Sequence, residues 1–105
     1  MNKQEFSSLI RNMDLYNSNE YDNIIAKIKH NVCQNMRIAR KLSKIELEVA
    51  AQYLDLEPQS LRRIEAENDR DEFSTKVFLM AVMIYNQDAN FYFNDWHDNE
   101  KNLIL

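Results

Sequence analysis

Glycine is missing altogether from the 105 residues, and proline, cysteine and tryptophan occur once each. Without glycine the chain lacks the residue such loops need where the backbone approaches the ligand, so phosphate-cradling loops are almost excluded. Hairpin-rich β folds are disfavoured for the same reason, since their tight turns want glycine at positive φ. A single cysteine forbids an internal disulfide and removes cysteine-based zinc sites. Nothing approaches the roughly 18 consecutive apolar residues of a membrane span. The opening MNKQEFSSLIRN alternates polar and apolar residues and lacks a signal-peptide h-region, so the expected location is cytoplasmic. Asn, Ile, Lys and Tyr, whose codons are AT-rich, are abundant, which fits a low-GC bacterium or its phage as the source.

What is present is an ordinary globular mixture, 45% hydrophobic and 29% charged, long enough for one domain. The net charge of −4 is unevenly spread. Residues 27–63 carry eight basic and four acidic groups, whereas residues 64–105 carry three basic and nine acidic ones. The middle segment is where a polyanion would dock; an ordinary solvated helix surface is the alternative.

Apolar spacing of three and four residues predicts helices throughout. Phe6, Leu9, Ile10, Met13 and Tyr16 form one face of a first helix, 3–16. Asn17-Ser18-Asn19 stops it. A long helix over 20–42 follows, striped by Tyr21, Ile24, Ile25, Ile28, Val32, Met36 and Ala39. Ser43 and Glu46 have the spacing of a capping box for a short helix with Leu47, Ala50, Ala51 and Leu54 inside. Pro58 fits the first position of the next helix, whose inner face is Leu61 and Ile64. Asn68–Glu72 reads as a polar loop. Ser74 or Thr75 caps an apolar helix over Val77–Tyr85, and Asp88 caps a last one carrying Phe91, Tyr92, Phe93 and Trp96. The expected domain plan is an N-terminal amphipathic helix (1–17), a central domain (20–93) and an acidic tail (94–105).

Two short helices a few residues apart, with Ala50 and Ala51 at their contact, suggest a helix-turn-helix. The run Ala50-Ala51, Leu54, Asp55, Leu56 and Ile64-Glu65 is in register with the signature of the Cro/cI-like (XRE) DNA-binding family, which this segment resembles. The likeness reaches back to Arg40 and forward to about Phe93. It implies an all-α, five-helix Cro/cI-like helix-turn-helix domain, here with an extra N-terminal amphipathic helix. It also implies an ion pair between Arg40 and Glu65. Sin-type regulators resemble the same theme. Leu47 departs from the pattern, standing where the family often carries glutamine.

Asp55 is expected in a left-handed conformation, tolerated by Asp where glycine is usual. Gln59 and Arg63, four apart, share a helix face, from which Gln can pair with adenine and Arg with guanine. Arg37, Lys41, Lys44, Ser60 and Arg62 are the candidate contacts to the DNA backbone. The apolar residues Phe6, Leu9, Ile10, Met13, Tyr16, Tyr21, Ile24 and Ile28 are the candidate homodimer interface. No catalytic set, metal site or cofactor is expected. Cys33 reads as a core thiol, and Asp95, His97, Asp98 and Glu100 as a solvated acidic run. Two functions follow: a sequence-specific regulator binding operator DNA as a homodimer, or an interaction protein that antagonises another helix-turn-helix regulator with little DNA binding of its own. Glu46 and Glu57 decide between them, because DNA binding needs a positive face they do not interrupt.

Overall fold

A computed structural model describes residues 1–66 and 73–103; the expected loop 68–72 and the last two residues of the apolar terminus lie outside the described residues. Those described are all-helical. Six α-helices run Lys3–Asn12 (α1), Ser18–Leu42 (α2), Leu47–Tyr53 (α3), Pro58–Ala66 (α4), Thr75–Ile84 (α5) and Trp96–Glu100 (α6), with 3-10 turns at Ala89–Phe93 and Lys101–Leu103.

α2 is the column of the fold. Its 25 residues give a length of roughly 37 Å. One end carries α1, and α4, α6 and the 89–93 turn also lie along it. The core combines Val32, Cys33, Met36 and Ala39 of α2 with Ala50, Ala51 and Leu54, Leu61 and Ile64, Val77, Ala81 and Tyr85, and Tyr92. The small residues Ala39, Ala50, Ala51 and Ala81 are fully buried, which lets the short helices approach α2 closely. Phe78 meets Tyr92 edge-on at 5.6 Å between ring centroids.

Lacking glycine, the chain ends three helices on other residues in the left-handed region: Lys44 (φ 58°), Asp55 (φ 57°) and Asn86 (φ 54°). After α2, the Ile45 amide donates to the Arg40 carbonyl and the Lys44 amide to that of Lys41. After α3, Leu56 donates to Ala51 and Asp55 to Gln52. Both are Schellman closures, which pair carbonyls that the helix end would leave open.

Several boundaries differ from those read in the sequence. α1 stops at Asn12, not residue 16, because Asp14 starts a turn: its carboxylate accepts from the Tyr16 amide at 2.9 Å, and its carbonyl from the Asn17 amide at 3.0 Å. Tyr16 therefore leaves the buried face and is 99% exposed. The Ser43–Glu46 capping box does not form. Ser43 ends α2 and its Oγ donates to the Tyr85 carbonyl at 2.9 Å, while α3 begins after Glu46 with no side-chain cap bond. Asp88 caps only the 89–93 turn, and Asp95 caps a separate α6.

Residues 94–103, set down as a tail, instead return to α2. Asn31 Nδ2 donates to the Asn94 carbonyl at 2.7 Å, and its Oδ1 accepts from the Trp96 amide at 3.0 Å. Asn35 Nδ2 donates to the carbonyls of Tyr92 and Asn94 at 3.0 and 2.8 Å. Asn99 Nδ2 donates to Asn35 Oδ1 and to the Phe91 carbonyl, both at 2.9 Å. All three asparagines are buried, and the lattice satisfies the irregular backbone that burial would otherwise leave unpaired.

Candidate nucleic-acid interface

α3 and α4 pack on each other, and α4 also packs on α2. The left-handed Asp55 turns the chain between them, and Leu56 fills in against the core. Pro58 begins α4, where its missing N–H has no helical partner to lose. Leu61, Ile64 and Glu65 are the buried side of α4, leaving Gln59, Arg62 and Arg63 exposed and Ser60 half-buried.

Arg40 and Glu65 lie against each other at the base of this unit. Arg40 Nε donates to Glu65 Oε2 at 2.7 Å and Nη2 to Oε1 at 2.9 Å, a two-pronged pair with little exposure on either side. Arg40 Nη1 reaches the Ile45 carbonyl at 3.1 Å, so one guanidinium joins α2, the entry to α3 and the end of α4. The hydrogen bond to Glu65 pushes the Arg40 pKa further above its already high ordinary value. Gln34 Nε2 adds a bond to the Glu65 carbonyl at 3.3 Å. These contacts fix α4 from behind while its outer side stays open.

On that outer side Arg62 Nη1 donates to Gln59 Oε1 at 3.0 Å. The residue assigned to bases and the one assigned to phosphate are thereby linked in the free protein. Lys41 and Lys44 are exposed, and Glu46, Glu48 and Glu57 are exposed as well. Lys76 lies 3.7 Å from Asp55, which partly offsets the acid at the turn. Leu47 packs against the core, so this position has no polar group to offer a ligand. Arg37, one of the expected backbone contacts, is engaged within the chain. It is half-buried, its Nε donates to Gln34 at 3.1 Å, and its Nη2 lies 3.7 Å from Glu100. Its guanidinium is thus shared with the C-terminal segment.

The expected dimer face also needs correction. Phe6 and Ile24 are buried within the single chain, at 6% and 5% exposure, because α1 folds back on α2. Met13 and Ile28 are half-buried, while Leu9, Ile10, Tyr16 and Tyr21 remain exposed. Sequence reasoning missed the asparagine lattice and the exposed apolar side of α5, Leu79, Met80 and Met83. The continuous apolar run 77–85 could have flagged the second, since it exceeds what one helix face can bury.

The comparisons found no matching family model, curated protein or solved structure. No helix among the described residues is long and apolar enough to cross a membrane.

Proposed function

We propose that the protein is a sequence-specific DNA-binding transcriptional regulator of the Cro/cI-like helix-turn-helix type, non-catalytic, with α4 as its recognition helix. The observation that carries this reading is the bracing of α4 by Arg40 and Glu65, with Gln59, Arg62 and Arg63 outward. A short helix held rigidly from behind, with polar side chains outward, is suited to a major groove. Gln59 and Arg63 read base edges; Arg62, Ser60, Lys41 and Lys44 hold phosphates.

The regulator acts as a homodimer. What remains exposed of the N-terminal stripe, Leu9, Ile10, Tyr16 and Tyr21, is its contact, and a two-fold axis there sets the spacing of the recognition helices. Light scattering is expected to give a dimer for the chain and a monomer for L9E/I10E; a wild-type monomer at high micromolar concentration would reject this part.

Binding to genomic fragments, the protein's own promoter included, tests the main reading. One fragment is expected to bind far more tightly than the rest, with affinity falling steeply as salt rises. A second reading, antagonism of another helix-turn-helix regulator, is favoured by the exposed Glu46 and Glu48 at the start of α3 and Glu57 just before α4. It predicts no fragment selection even at low salt.

A further inference from the structure

The open cleft bounded by α1, α2 and α6 has a volume of about 540 Å³, within the size range of small-molecule sites. We propose that it binds a small molecule with a flat aromatic body and one carboxylate.

The aromatic half of the inference comes from the walls. Phe6 and Trp96 line the cleft. The Trp96 indole is fixed on two sides, stacked on His97 at 3.8 Å between ring centroids and edge-on to His30 at 6.1 Å. Its backbone amide is held by Asn31, which also lines the cleft. His97 is held in turn by Asp95, whose Oδ1 lies 2.9 Å from the His97 amide and 2.8 Å from Nδ1. The wall is thus set before any ligand arrives. A preset aromatic surface favours a flat ring, which gains from offset or edge contacts as well as from burial.

The anionic half comes from charge. The chain has 17 acidic residues against 13 basic ones, yet none of the described residues that line this cleft is acidic, whereas Met1, Lys27, His30 and His97 line it; Asp95, which lies against Met1 and His97, is engaged by both. A carboxylate on the ligand would meet the exposed Lys27 ammonium, the Asp95 charge being already taken up by the Met1 ammonium. Such a charge-assisted bond is among the stronger polar contacts.

The site stands apart from the DNA reading. It sits on the 26–31 stretch of α2, whereas α4 is braced on residues 34–40, and the test contains no DNA. Trp96 is the only tryptophan, so its emission reports on the cleft alone. Titration with 3-phenylpropionate is expected to give a saturable change in that emission. The neutral amide, 3-phenylpropanamide, is expected to bind about ten-fold more weakly, and K27E, at an exposed position and checked for retained fold by circular dichroism, to weaken the carboxylate by a similar factor. An unsaturable response, equal affinity for acid and amide, or an unchanged affinity in K27E would each overturn the proposal.

Discussion

The two ends of α2 are held by different chemistry. Around residues 36–40 the neighbours are regular helices, joined by apolar contact and by the ion pairs of Arg40 with Glu65 and Arg37 with Glu100. Around residues 24–35 the neighbours are α1, a 3-10 turn and the short α6, joined by Phe6, Ile24 and three buried asparagines. The first kind of assembly repeats an apolar period and is stiff. The second uses amides to satisfy backbone that has no period, and its stability rests on a few polar groups.

The largest expected effect is on the first end. R40A leaves the Glu65 carboxylate buried and unpaired, and urea unfolding should show a loss of about 3–5 kcal/mol. The double variant R40M/E65L should lose less than R40A, because it buries no orphan charge. A double variant as damaged as the single would place the value of Arg40 in its bond to Ile45 instead.

N35A comes next. It removes the Asn35 bond from the Tyr92 carbonyl and one of two bonds from the Asn94 carbonyl and the Asn99 amide, which keep Asn31 and the Phe91 carbonyl, at a cost of about 1–3 kcal/mol. The two ends should also separate by probe. In N35A, Trp96 emission should move before the helical signal is lost; in R40A the two should move together. Coincident transitions in both variants would erase the distinction and make the chain one cooperative unit.

Smaller effects run in the opposite direction. Lys44 occupies the left-handed region at φ 58°, where a side chain costs about 1–2 kcal/mol. K44G should therefore gain roughly 0.5–1 kcal/mol after the entropy glycine adds to the unfolded chain. D55G should gain less, since aspartate tolerates this conformation better. Equal gains would mean that the Asp55 side chain contributes nothing to its turn.

The smallest effect is acid sensitivity at the asparagine end. The hydrogen bond from the Met1 ammonium, 2.9 Å from Oδ2, and those from His97 hold the Asp95 carboxyl at about 2, below its ordinary 3.8. A depressed carboxylate pKa stabilises the fold above the unfolded value and ceases to as pH falls through the folded one. Stability should thus drop between about pH 4 and 2 by under roughly 1 kcal/mol, discounted because the pair is partly exposed. D95N should flatten that part of the profile.

The comparison also explains what the sequence could disclose. Apolar periodicity located the six helices, except that it merged α6 with the preceding turn. Pro58, Asp55 and Ser74 marked starts and stops because each has a local preference that its neighbours do not oppose. Ser43 failed as a cap because a tertiary partner, the Tyr85 carbonyl, claims its hydroxyl, and because the left-handed Lys44 moves the start of α3. Asn31, Asn35 and Asn99 were invisible, since asparagine ordinarily reads as surface or turn and its partners lie some 60 residues away. The apolar stripe of α1 was legible as a stripe, but whether it would be covered by α2 or by a second chain was not, because periodicity gives a buried face without its neighbour. Arg37 looked like Lys41 in sequence; only the return of α6 distinguishes them.

The central claim, that the outer side of α4 reads bases, is tested most directly by comparing R63A with R62A on the preferred genomic fragment and on a scrambled one across a range of salt. R63A is expected to reduce the preference for the true fragment by about 1–3 kcal/mol while leaving scrambled binding nearly unchanged. R62A is expected to weaken both fragments alike and lower the salt slope by about 1. Equal losses on both fragments from both variants would contradict the account, leaving α4 as a charged surface without a reading role.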